Sequence, residues 1–255
     1  MNPSIEPLAG KIILVTGASG GIGRAIVQRL ASEGARPIIH YSRDRANAES
    51  LLDELEGQGF IVQADLSVAD GAAVLWTEAL ELAGRIDGLV NNAGIRTEVS
   101  IEAEHAVWRE AWIKEFQVNF HSAADLCRAA ICHFKQHGGG RIINMASRAA
   151  QRGYAADALP YGASKAALIN LTKSIARSFG PDGIVAVAIA PGWVKTDMAE
   201  QFIAQFGKAA VVADIPTGEM ATPEEIAELV AFVLRPSQTS MNGATLDMNG
   251  GSYIR

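Results

Sequence analysis

Residues 11–34 read KIILVTGASGGIGRAIVQRLASEG, and this stretch decides the fold. The run KIILVTG (11–17) is continuously hydrophobic more than alternating, which predicts a strand covered on both faces. Glycines at positions 17, 20, 21 and 23 follow at once. Ile22, Ile26 and Leu30 then recur at helical spacing until Gly34, which predicts a helix ending there. Glycines at such a junction let the backbone turn sharply. The helix start offers free N–H groups and the positive end of its dipole, an arrangement suited to a pyrophosphate. A P-loop requires Lys and then Ser or Thr after its last glycine. Arg24 and Ala25 stand there instead.

Outward from this unit the same rhythm continues. Strands are predicted within 36–42, 59–65, 86–94, 140–147, 183–192 and 243–251, with amphipathic stretches between them. Thr222 and Glu225 form a capping box around Pro223, and Ser67 and Asp70 offer a similar cap before a helix through Trp76. No repeat or Pro/Ser-rich linker marks a boundary. The expectation is a single α/β domain over 1–255, doubly wound and Rossmann-type, with a seven-stranded parallel sheet and helices on both faces. Residues 193–221 exceed an ordinary loop. A short helix is predicted from Ala199 to Phe206, presenting Met198, Phe202 and Phe206 as a lid or substrate wall.

The chain has 255 residues, 49% hydrophobic and 20% charged, ample for one core. A net charge of −6 argues against nucleic acid or an anionic membrane as partner. The N-terminus lacks the basic and apolar regions of a signal peptide, and no run approaches a membrane span. Cys127 and Cys132 are too few for structural zinc and read as buried thiols of a cytoplasmic protein, with no metal expected.

Tyr161 and Lys165 lie one turn apart in LPYGASKAALINLTKSIA, a phenol and an ammonium on one helical face. Alone the pair is an ordinary helix surface. Together with the glycine loop TGASGGIG, the run Asn91-Asn92-Ala93-Gly94 and the run Pro191-Gly192-Trp193-Val194-Lys195-Thr196, it resembles the short-chain dehydrogenase/reductase family. The motifs stand in family order along nearly the whole chain.

That resemblance implies a catalytic set: Tyr161 as general acid/base, Lys165 as its electrostatic partner, Ser147 polarising the reacting oxygen, and Asn119 holding a water that links Lys165 to solvent. It implies cofactor contacts at Gly17, Ser19, Gly21, Ile22, Gly23, Asp65, Leu66, Asn91, Ala93, Gly94, Tyr161, Lys165, Pro191, Gly192, Val194 and Thr196. For Asp65 the turn that follows is an equal alternative. The second strand ends His40-Tyr41-Ser42-Arg43, without the acid that accepts from the ribose of NAD. Ser42 and Arg43 are suited to a 2′-phosphate, so NADP is expected, with NAD still open through Asp44. The implied reaction interconverts a carbonyl and a secondary alcohol. Its substrate is a small molecule, with Arg148 and Arg152 as steering charges and Trp193, Met198 and Phe202 as an apolar wall. The nearest relatives in kind are 3-oxoacyl-carrier-protein reductases and sugar or polyol dehydrogenases. Family habit implies a homotetramer through the Tyr161 helix and the one at 119–136. Two rivals share the fold: a nucleotide-binding regulator, which predicts a broken catalytic set, and a methyltransferase, which gives Tyr161 and Lys165 no role.

Overall fold

The computed structural model describes residues 7–255, with the side chains of Met198, Gln201, Gln205 and Phe206 outside that description. Seven strands are present: β1 (Ile12–Val15), β2 (Arg36–Tyr41), β3 (Phe60–Gln63), β4 (Gly88–Asn91), β5 (Gly140–Met145), β6 (Ile184–Pro191) and β7 (Thr245–Met248). They pair in the order β3-β2-β1-β4-β5-β6-β7, every neighbour parallel. Each lies within the stretch its sequence pattern marks out. The eight residues of β6 are all buried, as a strand covered on both faces must be.

Helices α1 (Gly21–Ser32), α2 (Arg45–Glu54) and α10 (Pro223–Leu234) cover one face. Helices α3 (Gly71–Ala83), α5 (Ser122–Gln136) and α7 (Leu159–Phe179) cover the other. Ile26 and Leu30 of α1 meet Ile226 and Val230 of α10, all with no exposed surface. Each such side chain contributes roughly 1.5–3 kcal/mol by leaving water. Thr222 accepts from the Glu225 backbone at 3.2 Å and Glu225 accepts from the Thr222 backbone at 2.7 Å, completing the predicted capping box. The other predicted cap does not form: Asp70 holds the N-cap position of α3, but its side chain makes no cap bond.

Between β3 and β5 lie α4 (His105–Phe116) and a π-helical turn, Gln117–His121, that runs into α5. Beyond β5 comes α6 (Ala149–Arg152), and beyond β6 come α8 (Asp197–Phe206) and α9 (Lys208–Val212). The predicted short helix is therefore real and two residues longer. Ala199, Val211, Ile215 and Met220 form a small core of their own there, with Trp193 and Phe202 packed against it at 4.9 Å between rings. The parts expected of Met198 and Phe206 lie outside the described residues.

Cys127 is buried but Cys132 is exposed, against expectation. A five-residue step on a helix turns the side chain by well over a right angle, so both cannot face the core.

The topology positions the site. β1 is flanked by β2, whose chain continues outward to β3, and by β4, whose chain continues the other way. The loops leaving β1 and β4 diverge and open a crevice at the carboxyl ends of the strands.

Candidate active site

The glycine loop is tied down from three sides. Thr16 Oγ1 accepts from the backbones of Asn92 and Ala93, both at 2.9 Å. Asn92 Nδ2 returns bonds to the carbonyls of Thr16 and Gly17 at 2.9 and 3.1 Å. The Gly17 amide donates to His40 Nδ1 at 3.0 Å, while His40 Nε2 reaches the Ala64 carbonyl at 3.1 Å. Those partners place the proton on Nε2. Burial pushes His40 down to about 4, so it is a neutral acceptor at physiological pH.

Two glycines are forced by close approach. Gly17 has φ +61°, and a Cβ there would meet Ala93 Cα at 3.0 Å. A Cβ at Gly23 would lie 2.2 Å from the Gly17 carbonyl oxygen, so α1 starts against the loop only because Gly23 is bare.

A groove of about 600 Å³ runs beside the loop. Gly17, Ser19, Gly21 and Ile22 line it on one side, Ser42, Arg43, Asp65 and Leu66 at one end, and Ala93 and Gly94 opposite. The predicted contacts Gly23 and Asn91 do not line it. Gly23 serves helix packing. Asn91 turns into the core, donating to Asn144 Oδ1 at 2.8 Å and Cys127 Sγ at 3.3 Å, because it is the last residue of a strand buried on both faces. Asp65 Oδ1 accepts from the Ser67 backbone at 2.9 Å, making the turn, and the residue also lines the groove. Asp44, the NAD alternative, also lines the groove. It caps α2, accepting from Asn47 N at 3.1 Å and Asn47 Nδ2 at 2.5 Å.

A second cleft, about 150 Å³, adjoins the groove through Ile22, Asn92, Gly94 and Thr196. Ser147, Tyr161 and Lys165 line it together, with Pro191, Gly192, Val194 and Trp193 as its far wall. Ser147 comes from just past β5, and the other two come from α7. Lys165 is buried and donates to the Met145 carbonyl at 2.9 Å, its Nζ lying 5.9 Å from the Tyr161 ring centroid. Burial pushes Lys165 down to about 8, and the Glu115 carboxylate partly restores it. Burial also pushes Tyr161 up to about 12, which hydrogen bonding with Ser147 partly opposes. The side chains present therefore hold the phenol in its acid form rather than favouring a phenolate.

Asn119 sits on the π-helical turn and lines neither cavity. Its Oδ1 accepts from the Ile95 backbone at 2.8 Å, and its Nδ2 donates to the Ile95 carbonyl at 2.9 Å. Nδ2 also reaches Ser164 Oγ at 3.2 Å and Glu115 Oε1 at 2.8 Å. Sequence reasoning missed Glu115 altogether. It is fully buried, and its second oxygen accepts from the Thr97 backbone at 2.8 Å. Burial pushes its carboxyl up, with the Thr97 and Asn119 bonds and the Lys165 charge pulling the other way. One signal was available: Glu115 is four residues before Asn119, on the same helical face. His40 was also missed, as was Arg96, which lines the cleft.

Among the described residues no His, Cys, Asp and Glu cluster could hold a metal, and no helix is long and apolar enough to cross a membrane.

Known proteins resemble this chain throughout. A family model described as enoyl-(acyl carrier protein) reductase matches residues 17–253. A 3-oxoacyl-[acyl-carrier-protein] reductase of Vibrio cholerae is 34% identical over 247 residues, covering 97% of this chain and 99% of its own. A hydroxynaphthalene reductase-like protein of Metarhizium anisopliae is 34% identical over 260 residues, covering 96% of each. A crystal structure from Beutenbergia cavernae, assigned as an NAD(P)-dependent gluconate 5-dehydrogenase with NADP bound at low occupancy, is 33% identical. It superposes with a TM-score of 0.89 over 98% of this chain and 99% of that one.

Proposed function

The chain belongs to the short-chain dehydrogenase/reductase family, and from that premise we propose that it is an NADP(H)-dependent oxidoreductase interconverting a carbonyl and a secondary alcohol, with Tyr161 as acid/base. The observation that carries this reading is the continuity of two cavities. The cleft holding Ser147, Tyr161 and Lys165 opens through Gly94 and Thr196 into the groove of the glycine loop.

The groove's residues fit a dinucleotide. A bare Gly17–Gly23 turn lets a pyrophosphate approach the start of α1. Ser42 and Arg43 line the end of the groove beside Asp44, whose carboxylate already accepts two hydrogen bonds from Asn47. Arg43 would hold a 2′-phosphate, and Ser42 would donate to it. When bound, NADPH supplies the hydride. The protein's own groups manage the oxygen and its proton. Ser147 donates to the carbonyl oxygen as charge builds there. Tyr161, kept protonated by burial, gives up the O–H proton. Lys165, while charged, stabilises the phenolate left behind, and Asn119 holds the loop at Ile95 beside Gly94.

We further propose one catalytic domain over 1–255, a cytoplasmic location and a homotetramer. Exposed apolar side chains on α4 support assembly. Ala123, Leu126, Cys127, Ala130 and Phe134 of α5 are buried within the chain itself. On α4, Val107 and Ile113 are exposed beside a run of rings, Trp108, Trp112 and Phe116, spaced 5.7 and 5.8 Å apart. Light scattering at micromolar concentration tests this, and a monomer refutes it.

Tyr161→Phe tests the chemistry. Loss of the proton donor lowers kcat by about 10²- to 10⁴-fold, while NADPH binding, followed by its fluorescence, persists. Turnover near that of the wild type overturns the mechanism.

A further inference from the structure

The reacting cleft is walled by cations beyond the catalytic set. Arg96 and Arg148 line it beside Ser147 and Tyr161. An outer hollow shares Arg96, Arg148, Tyr154 and Trp193 with it and adds Arg152. With Lys165, that makes four cations. Asp214 is the one carboxylate among the described residues lining the two hollows. In a chain of net charge −6, such an excess on one wall is a local field aimed at the cleft.

Arg148 and Arg152 have one carboxylate between them. Asp214 is shared, accepting from Arg148 Nη1 at 3.2 Å and Arg152 Nη1 at 2.7 Å. Arg148 is only 4% exposed, and burial and the Arg152 charge both work against its cation. Arg96 pairs with Glu98 and Asp157, which line neither hollow, and its buried Nε has no hydrogen-bond partner. A buried cation such as Arg148 that shares its one carboxylate is costly, and a substrate anion offsets that cost. A guanidinium's flat fork suits a carboxylate or phosphate.

We propose, resting on the reductase reading above, that the substrate is an oxo compound bearing an anionic carboxylate or phosphate, held by Arg148 and Arg96 so that its carbonyl meets Ser147 and Tyr161. Tyr154 and Trp193 form the apolar surface between the anion and the carbonyl. The rings of Tyr154 and Tyr161 lie 5.6 Å apart, so the spacing suits a short linker.

The test compares matched pairs by NADPH oxidation: acetoacetate against methyl acetoacetate, and dihydroxyacetone phosphate against dihydroxyacetone. The two pairs separate carboxylate from phosphate. At least one anion should exceed its neutral partner in kcat/KM by about tenfold or more, with the advantage shrinking as salt rises. Arg148→Met and Arg96→Met should each reduce the anion-to-neutral ratio, whereas Asp214→Asn should raise it. The preferred anion should also raise Tm of the NADPH-loaded wild type. Neutral partners reduced as well as their anions in both pairs overturn the anionic proposal and leave the reductase reading standing. No reduction within either pair, with no anion-dependent rise in Tm, overturns both.

Discussion

Glu115 Oε1 accepts a hydrogen bond from Asn119 Nδ2 at 2.8 Å, one turn earlier on the helix, while Oε2 accepts from the Thr97 backbone at 2.8 Å. The carboxylate therefore joins the π-helical turn to the loop after β4, directly behind Gly94 and Lys165. A Cβ at Gly94 would lie 3.1 Å from Lys165 Nζ and 3.3 Å from Asn119 Oδ1, so these groups crowd one point. Gln at 115 has one acceptor oxygen for two donors and turns its own N–H₂ on the other. Glu115→Gln should cost about 1–3 kcal/mol of stability, measured by urea unfolding. It should also lower kcat more than it raises KM, because Asn119 and Gly94 lose their brace. A variant matching the wild type in both removes Glu115 from the support of the site.

Lys165 sets a pH limit. Burial places its ammonium at about 8, so it is charged below that pH and neutral above it. Tyr161, at about 12, stays protonated across the same range. Carbonyl reduction that needs the Lys165 charge should therefore hold steady up to about pH 7 and fall as pH rises through about 8. A profile of kcat/KM for the ketone, taken at saturating NADPH, checks this. A rate that stays flat to pH 9.5 contradicts the assigned role of Lys165.

The fold was legible because parallel strands buried on both faces leave unbroken apolar runs, and β1, β6 and their glycine turns are of that kind. Ser147, Tyr161 and Lys165, which share one cleft, were legible as motifs at fixed spacing. Side-chain direction was not. Asn91 and Asn92 are adjacent in sequence, yet one turns into the core toward Asn144 and the other stitches the glycine loop. Neither spacing nor composition distinguishes them. Glu115 and His40 stayed hidden for a related reason. Each is a polar residue buried by partners distant in sequence, Thr97 for one and Ala64 for the other. Spacing is equally silent on desolvation, which dominates for both Lys165 and Tyr161.

His40 makes the cofactor loop acid-sensitive. Its folded value of about 4 lies below the ordinary 6.5, so the unfolded chain takes up the proton first as pH falls. The stabilisation is complete above pH 6.5 and is lost as pH falls toward 4, about 3 kcal/mol in all. A protonated Nδ1 can no longer accept from Gly17. Wild-type stability should thus drop more steeply between pH 7 and pH 4.5 than that of His40→Gln, as read by urea unfolding, and NADPH affinity should weaken over the same interval. Parallel stability curves for the two proteins exclude His40 as the titrating group.

Arg43 and Gly20 face each other's problem, how to hold a 2′-phosphate on an open groove wall. Arg43 lines the groove and its side chain forms no hydrogen bond or ion pair among the described residues, while the neighbouring Asp44, which also lines the groove, caps α2. Arg43→Ala should reduce the ratio of kcat/KM for NADPH over NADH by about tenfold or more, the size of one lost charge-assisted contact. Gly20 also lines the groove, and a Cβ built on it meets nothing within 4 Å. Its φ of −162° is extended backbone that any residue adopts. Gly20→Arg therefore adds a second guanidinium without backbone strain and should raise the same ratio. Opposite responses in the two variants are the signature of phosphate recognition at this end of the groove. A wild type that prefers NADH, or a ratio indifferent to Arg43→Ala, rules it out.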